Sequence, residues 1–228
     1  MFVYQGKEIM QQVRDFFSKG HKSSNKRYYV DLNGKPEPDL DKRFNDVQMA
    51  RINKRFANSI ESKSYRTPAV SRLYDDALAI LKVATSHRSG NCDEMSSLSA
   101  FYAYRDYNVP QDCLYVVTVS PPADHVFCVV TEQAVQDTDQ LFASVTAFVN
   151  DDVAKMWVII DPWLHVCCRV KDYLTKANEQ LDKWGAAGKR IDWFGSLGDG
   201  WYAPNGEYKT DFAKGRVIFE EFFEYRRV

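Results

Sequence analysis

Ser89-Gly90-Asn91-Cys92-Asp93-Glu94-Met95 breaks the chain with a glycine just before a helical pattern begins. Asp124-His125-Val126-Phe127 follows, and then Trp157-Val158-Ile159-Ile160-Asp161-Pro162-Trp163. The three stretches offer a thiol, an imidazole and a carboxylate, in that order. A cysteine nucleophile needs these groups: a thiolate, a base to make it and an acid to orient the base. A cysteine at a helix start meets the positive end of the helix dipole, which lowers its pKa. Cys92 is therefore expected to be the most reactive of the five thiols. Gly90 lets the backbone turn sharply and approach a substrate, and unpaired N–H groups at a helix start can hold an oxyanion.

Each residue also has a plainer reading. A free cysteine is commonly a buried, inert thiol. A histidine at a strand start is commonly a satisfied surface residue. Asp-Pro is a frequent turn opener. The combination, rather than any one residue, points to chemistry.

Working outward, Ile9, Val13, Phe16 and Phe17 recur at helical spacing, with Gly20 as a stop. Residues 22–38 are polar and turn-rich. A long helix is expected from Asp39 to Ser62, with Lys42, Arg43, Arg51, Lys54 and Arg55 on a solvated face. Thr67-Pro68 reads as another helix start, before an apolar stripe from Val70 to Ala84. The inward stripe of the Cys92 helix is Met95, Leu98, Tyr102 and Ala103. β-rich runs then cover Leu114–Val119, Val126–Thr131, Trp157–Ile160 and Val166–Val170. Leu141–Val145 is an added helix or strand, 171–187 is helical, 188–215 reads as long loops, and Val217–Tyr225 is a last strand or helix. Helices followed by a mostly antiparallel sheet make an α+β chain. The division expected is an N-terminal helical region at 1–66 and a catalytic core at 67–228.

With 228 residues, 45% of them hydrophobic, the chain can bury one sizeable core. Thirty basic against 31 acidic residues leave a net charge of −1, which calls for neither nucleic acid nor an anionic membrane. No apolar run approaches the ~18 residues of a membrane span, and Met1–Met10 is not a signal-peptide core. Five irregularly spaced cysteines do not form a disulfide framework and fit a reducing compartment. Tyr225-Arg226-Arg227-Val228 carries no terminal signal, so further domains of a longer chain remain compatible with it.

Taken together, Gly-Asn-Cys-Asp-Glu-Met at a helix start, Asp-His-Val-Phe at a strand start and Trp-Val-Ile-Ile-Asp-Pro-Trp at a strand end resemble the papain-like and transglutaminase-like cysteine enzymes. The likeness is greatest to bacterial effector and toxin domains that modify glutamines of host proteins, and it covers roughly residues 75–170. It implies a nucleophile helix packed on an antiparallel sheet, with Cys92 as nucleophile, His125 as base and Asp161 as orienter. It also implies a protein substrate, no cofactor and action in a host cytoplasm after secretion. Two features depart from the family. Papain-like proteases place a Gln shortly before the cysteine to complete the oxyanion hole, and residues 86–91 contain none, so Asn91 or backbone amides would serve. Animal transglutaminases carry a Trp after the cysteine where this chain has Asp93, so their calcium dependence does not transfer. A thiol protease with the same triad, or a non-catalytic module on this fold, are the alternatives.

His87 is a second candidate base, on the loop before the helix. His165-Val166-Cys167-Cys168 lacks common zinc spacing, and no phosphate-binding glycine loop is present. Trp163, Trp193, Phe194, Trp201 and Tyr202 fall in stretches expected to flank the site, where flat apolar walls suit a side-chain tunnel. Ordinary loop packing is their plainer role.

Overall fold

The computed structural model describes residues 1–18, 23–24, 26–28, 42–49, 51–52, 72–85, 88–135, 142–195 and 198–222. Its centre is a five-stranded antiparallel sheet in the order β5-β4-β3-β2-β8, built from β2 (Leu114–Val119), β3 (His125–Val130), β4 (Val158–Asp161), β5 (Val166–Arg169) and β8 (Val217–Glu221). β3 and β4 are buried along their whole length. This explains why they read as continuous apolar runs rather than alternating ones.

Helices cover both faces. One layer holds α1 (Val3–Ser18), α2 (Arg72–Leu81) and α3 (Cys92–Tyr107); the other holds α4 (Val145–Val149), α5 (Val170–Ala186) and α6 (Glu207–Lys214). Gly6 of α1 sits against Val158, Ile160 and Cys167 on one face, whereas Tyr173 of α5 meets Phe127 and Asp161 on the other. A smaller antiparallel sheet joins β1 (Lys26–Tyr28), β6 (Lys189–Gly195) and β7 (Gly198–Tyr202) in the order β1-β6-β7. The chain is thus α+β. No described helix is long and apolar enough to cross a membrane.

Several expectations change. The boundary at residue 66 does not divide the core, because Ile9, Val13, Phe16 and Phe17 of α1 are buried in the same cluster as Leu98 of α3. α3 is not an amphipathic helix with one inward stripe. Pressed between the sheet, α1 and α2, it is buried from Glu94 through Ala103. Ser96 and Ser99 tolerate this because their hydroxyls donate back to the Cys92 and Met95 carbonyls, at 2.6 and 2.9 Å.

The 188–215 stretch is not a set of loops. It contains the β6–β7 hairpin, with Ile191 and Trp193 buried and Asp192 exposed, and α6, with Tyr208, Asp211 and Phe212 buried at helical spacing. In the 141–145 region Phe142 bridges to Val217, and Ser144 caps α4 by accepting from the Ala147 N–H at 3.0 Å. Residues 42–49 and 51–52 are helical. The rest of the expected 39–62 helix and the Thr67-Pro68 start lie outside the described residues.

Gly90 holds the join between α1 and α3. A Cβ there would stand 2.7 Å from Phe17 Cζ and closer still to Cε1. Gly90→Ala is expected to cost roughly 1–3 kcal/mol through overpacking, and adding Phe17→Leu is expected to recover part of it. Urea unfolding of both single variants and the double variant measures the coupling; additive losses would count against the contact.

Candidate functional site

His125 begins β3 and Asp161 ends β4. The register Cys128↔Ile160, continued one residue, sets Phe127 opposite Asp161. His125, two residues on and on the same face, lies diagonal to the carboxylate. The side chains meet: His125 Nε2 is 2.7 Å from Asp161 Oδ2, and both residues are fully buried. Asp161 Oδ2 also accepts from the Tyr173 hydroxyl at 2.7 Å, and Oδ1 accepts from the Leu164 N–H at 2.9 Å. The carboxylate therefore has three donors, which is what a buried charge requires. The other imidazole nitrogen, Nδ1, is buried without a hydrogen-bond partner among the described residues. Trp163 and Phe212 wall the ring at centroid distances of 5.1 and 5.6 Å.

Cys92 is the first residue of α3. The β3–β4 ladder stops at Cys128, and beyond it Val126 serves α3. Its carbonyl accepts from Ser96 Oγ at 2.9 Å, and its N–H lies against the Cys92 thiol and favours the ionised form. The start of the helix thus docks on the residue next to His125. The thiol, the imidazole and the carboxylate read from sequence are brought to one end of the sheet.

The expected lowering of the Cys92 pKa is overturned. Burial pushes the thiol up, and the carboxylates of Asp124, Asp93 and Glu94 push it further. With Cys92 only 7% exposed, loss of hydration outweighs the helix dipole and the Val126 N–H. The same acidic residues that suit the helix dipole therefore oppose an isolated thiolate. All five cysteines are buried and free.

The residues expected to hold an oxyanion have other duties. The Asn91 carboxamide turns away to the N-terminal segment: its Oδ1 accepts from Ser23 Oγ at 2.8 Å and from the Ser24 N–H at 3.0 Å. Gly90 is packed closely against Phe17, on the side where a side chain would stand. Trp163 stands in the β4–β5 turn, against the His125 ring. It is 1% exposed, and its indole N–H donates to Ser23 Oγ at 3.2 Å.

Lys26 completes this strap. Its ammonium donates to the Trp163 carbonyl at 2.8 Å and sits over the Trp163 and Trp184 rings at 4.3 and 4.7 Å. Burial lowers its pKa well below the usual lysine value, assisted by the charges of Lys189 and Arg14. Arg14 anchors the turn after Asp161 by donating to the Pro162 carbonyl at 3.0 Å.

The basic face expected at 42–55 is not uniformly solvated. Arg43 is buried, and Arg51 pairs with the fully buried Glu94 at 2.9 Å. Glu94 in turn accepts from the Asn91 N–H at 2.9 Å, so Arg51 braces the first turn of α3. Lys42 is exposed. Lys54, Arg55 and His87 lie outside the described residues.

Tyr173, Tyr208 and Lys26 carry no recognisable signal in the sequence. Period and motif give no cue for them, because a turn after β4, a short helix and a paired strand carry them to the site. Of the expected aromatic wall, Trp193 packs on Tyr202 and Tyr208 at 5.4 and 5.3 Å and donates to the Pro122 carbonyl at 3.0 Å. Trp201 is half-buried, and the Phe194 side chain is outside the described set. Among the described residues no group of three or more His, Cys, Asp or Glu is arranged to hold a metal. Comparisons with protein-family models, with curated proteins and with solved structures find no match to this chain.

Buried thiols and phenols bring an alkaline dependence of stability. Burial raises Cys167 and Cys168 from an ordinary 9.0 to about 12 and holds Tyr173 well above 10.0. These groups stay protonated in the fold and ionise once it opens, so the unfolded state binds fewer protons and stability falls as pH rises. Their contribution is full below about pH 9 and is lost progressively toward pH 12. Thermal melts at pH 7.5, 9 and 10.5 are expected to show a decreasing Tm; a flat profile would contradict the burial of these groups.

Proposed function

We propose that the chain is a cysteine-dependent acyl-transfer enzyme with a papain/transglutaminase-like core, acting on the side-chain carboxamide of a protein glutamine. The observation that carries this reading is the buried His125–Asp161 pair, with His125 Nδ1 left open beside the docked start of the Cys92 helix. Structural histidines in a core generally satisfy both nitrogens. A general base keeps one for the proton it takes.

The chemistry runs through Cys92. Because burial disfavours a lone thiolate, the thiol proton passes to His125 Nδ1 as sulfur attacks. The negative charge then never stands without the imidazolium that Asp161 supports. A C–S bond forms, the C–N bond breaks, and the imidazolium returns its proton to the departing ammonia. His125 next deprotonates the acceptor, which opens the thioester and restores the thiol. With water the product is glutamate; with a lysine amine it is an isopeptide. Family likeness supports a host protein as substrate and a bacterial effector as the setting.

The closed site supports a glutamine side chain over an extended main chain. His125 is fully buried and Cys92 nearly so, which suits a substrate group that enters singly. The experiment is incubation of the enzyme with host-cell lysate and a biotinylated primary amine. Cys92-dependent biotin incorporation or glutamine-to-glutamate conversion by mass spectrometry is expected, and Cys92→Ala abolishes both. Asp161→Asn is expected to lower turnover by about 10²–10⁴-fold, since an amide facing Nε2 favours the wrong tautomer. New peptide termini without either product would replace this reading with a protease.

A further inference from the structure

An acyl-transfer site of this kind needs a donor where charge develops on the carbonyl oxygen. Residues 86–91 offer no Gln just before Cys92, the Asn91 carboxamide is held by Ser23 and Ser24, and Gly90 has no side chain. Besides His125 Nδ1, the buried side-chain atoms without a hydrogen-bond partner among the described residues include Ser89 Oγ, Asn178 Oδ1 and the hydroxyl of Tyr208. Of these, Tyr208 packs against the two rings that wall His125.

Tyr208 is 1% exposed and lies in the first turn of α6. Its ring stacks on Phe212 at 6.2 Å and meets Trp163 at 6.5 Å, the same two residues that wall the His125 ring. Burial holds its phenol well above the usual tyrosine value, and the charges of Cys92, Asp161 and Asp124 act in the same direction. Trp193 fixes the ring from a third side, edge-on at 5.3 Å. A buried O–H that bonds to nothing costs stability, and a fold that holds one against the same rings that wall His125 calls for an explanation.

We propose that the Tyr208 hydroxyl is the oxyanion donor, a catalytic residue that completes the site around Cys92, His125 and Asp161. This rests on the reading of Cys92 as nucleophile given above. When the Cys92 sulfur bonds to the carbonyl carbon, the C=O π pair moves onto oxygen, and the Tyr208 O–H donates to that oxygen without losing its proton. On collapse the π bond re-forms, the leaving group departs, and the hydroxyl is orphaned again. Burial keeps the phenol neutral, so it stays a donor throughout. Aromatic contacts on several sides hold it ready before substrate arrives.

The test separates acylation from simple alkylation. p-Nitrophenyl acetate acylates a thiol through a tetrahedral oxyanion and releases nitrophenol; iodoacetamide alkylates the same sulfur by displacement of iodide, with no oxyanion. Both rates are followed at Cys92 by mass spectrometry, with Cys92→Ala as the blank. Tyr208→Phe is expected to slow acylation by about 10- to 100-fold, at or somewhat below the usual cost of losing an oxyanion donor. It should leave alkylation within about twofold and Tm equal or higher, because only an unpaired hydroxyl is removed. Equal slowing of both reactions would show that Tyr208 acts on the thiol itself and would overturn the proposal. So would unchanged acylation, or loss of a cooperative melt, which would make the hydroxyl structural. If the wild type is acylated no faster than Cys92→Ala, Cys92 is not a nucleophile and the acyl-transfer reading fails with it. If Cys92 is acylated normally and only Tyr208 proves dispensable, that reading stands.

Discussion

The carboxylate of Asp161 holds this end of the molecule together. A fully buried carboxylate is tolerated only where its lone pairs are filled. Here the imidazole of β3, the hydroxyl at the start of α5 and the backbone of the β4–β5 turn each supply a donor. Removing any one leaves the others around an under-satisfied charge, so these four elements keep their relative positions. The orientation of His125 follows from this arrangement, because Nε2 is committed to the carboxylate and only Nδ1 is left for another group.

The second constraint is the docking of α3. Its first turn is fastened from three directions: Phe17 against Gly90, Arg51 against Glu94, and Ser23–Ser24 against Asn91. Val126 receives the thiol and Ser96 in the gap where β4 leaves β3. The consequence is a thiol placed accurately but dehydrated. Position and ionisation are thus set by opposing terms, with the helix dipole and one N–H on one side and burial and three carboxylates on the other. In the mechanism proposed above, proton transfer to His125 reconciles them, since a pair of opposite charges tolerates a dry site better than a single one.

Much of this was legible in the sequence. The continuous apolar runs of β3 and β4 marked buried strands, and the glycine break before Cys92 marked the start of a helix. His125 and Asp161 stand at strand ends, where motif and periodicity together located them. What the sequence hid was tertiary in origin. Nothing in a free-standing Gly-Asn-Cys shows whether the dipole or burial governs the thiol, because burial is set by where α3 docks, on Val126 of β3. Asn91 looked available for substrate until Ser23 and Ser24 occupied it. Arg51 looked solvated because its partner, Glu94, comes 43 residues later. Tyr173 joins Asp161 only because the β4–β5 turn brings α5 back across the strand.

The strand order carries a consequence for synthesis. β2 is flanked on one side by β3, its neighbour in sequence, and on the other by β8, about a hundred residues further along. Contacts of such long sequence separation close late. On a ribosome adding roughly 5–20 residues per second, the thiol, imidazole and carboxylate all emerge before α6 and β8. For some seconds each nascent chain therefore carries Cys92 and His125 without the aromatic packing that Tyr208 and Phe212 provide. The apolar edge of β2 stands open over the same interval, so the nascent chain is open to misfolding and to stray thiol chemistry until α6 and β8 arrive.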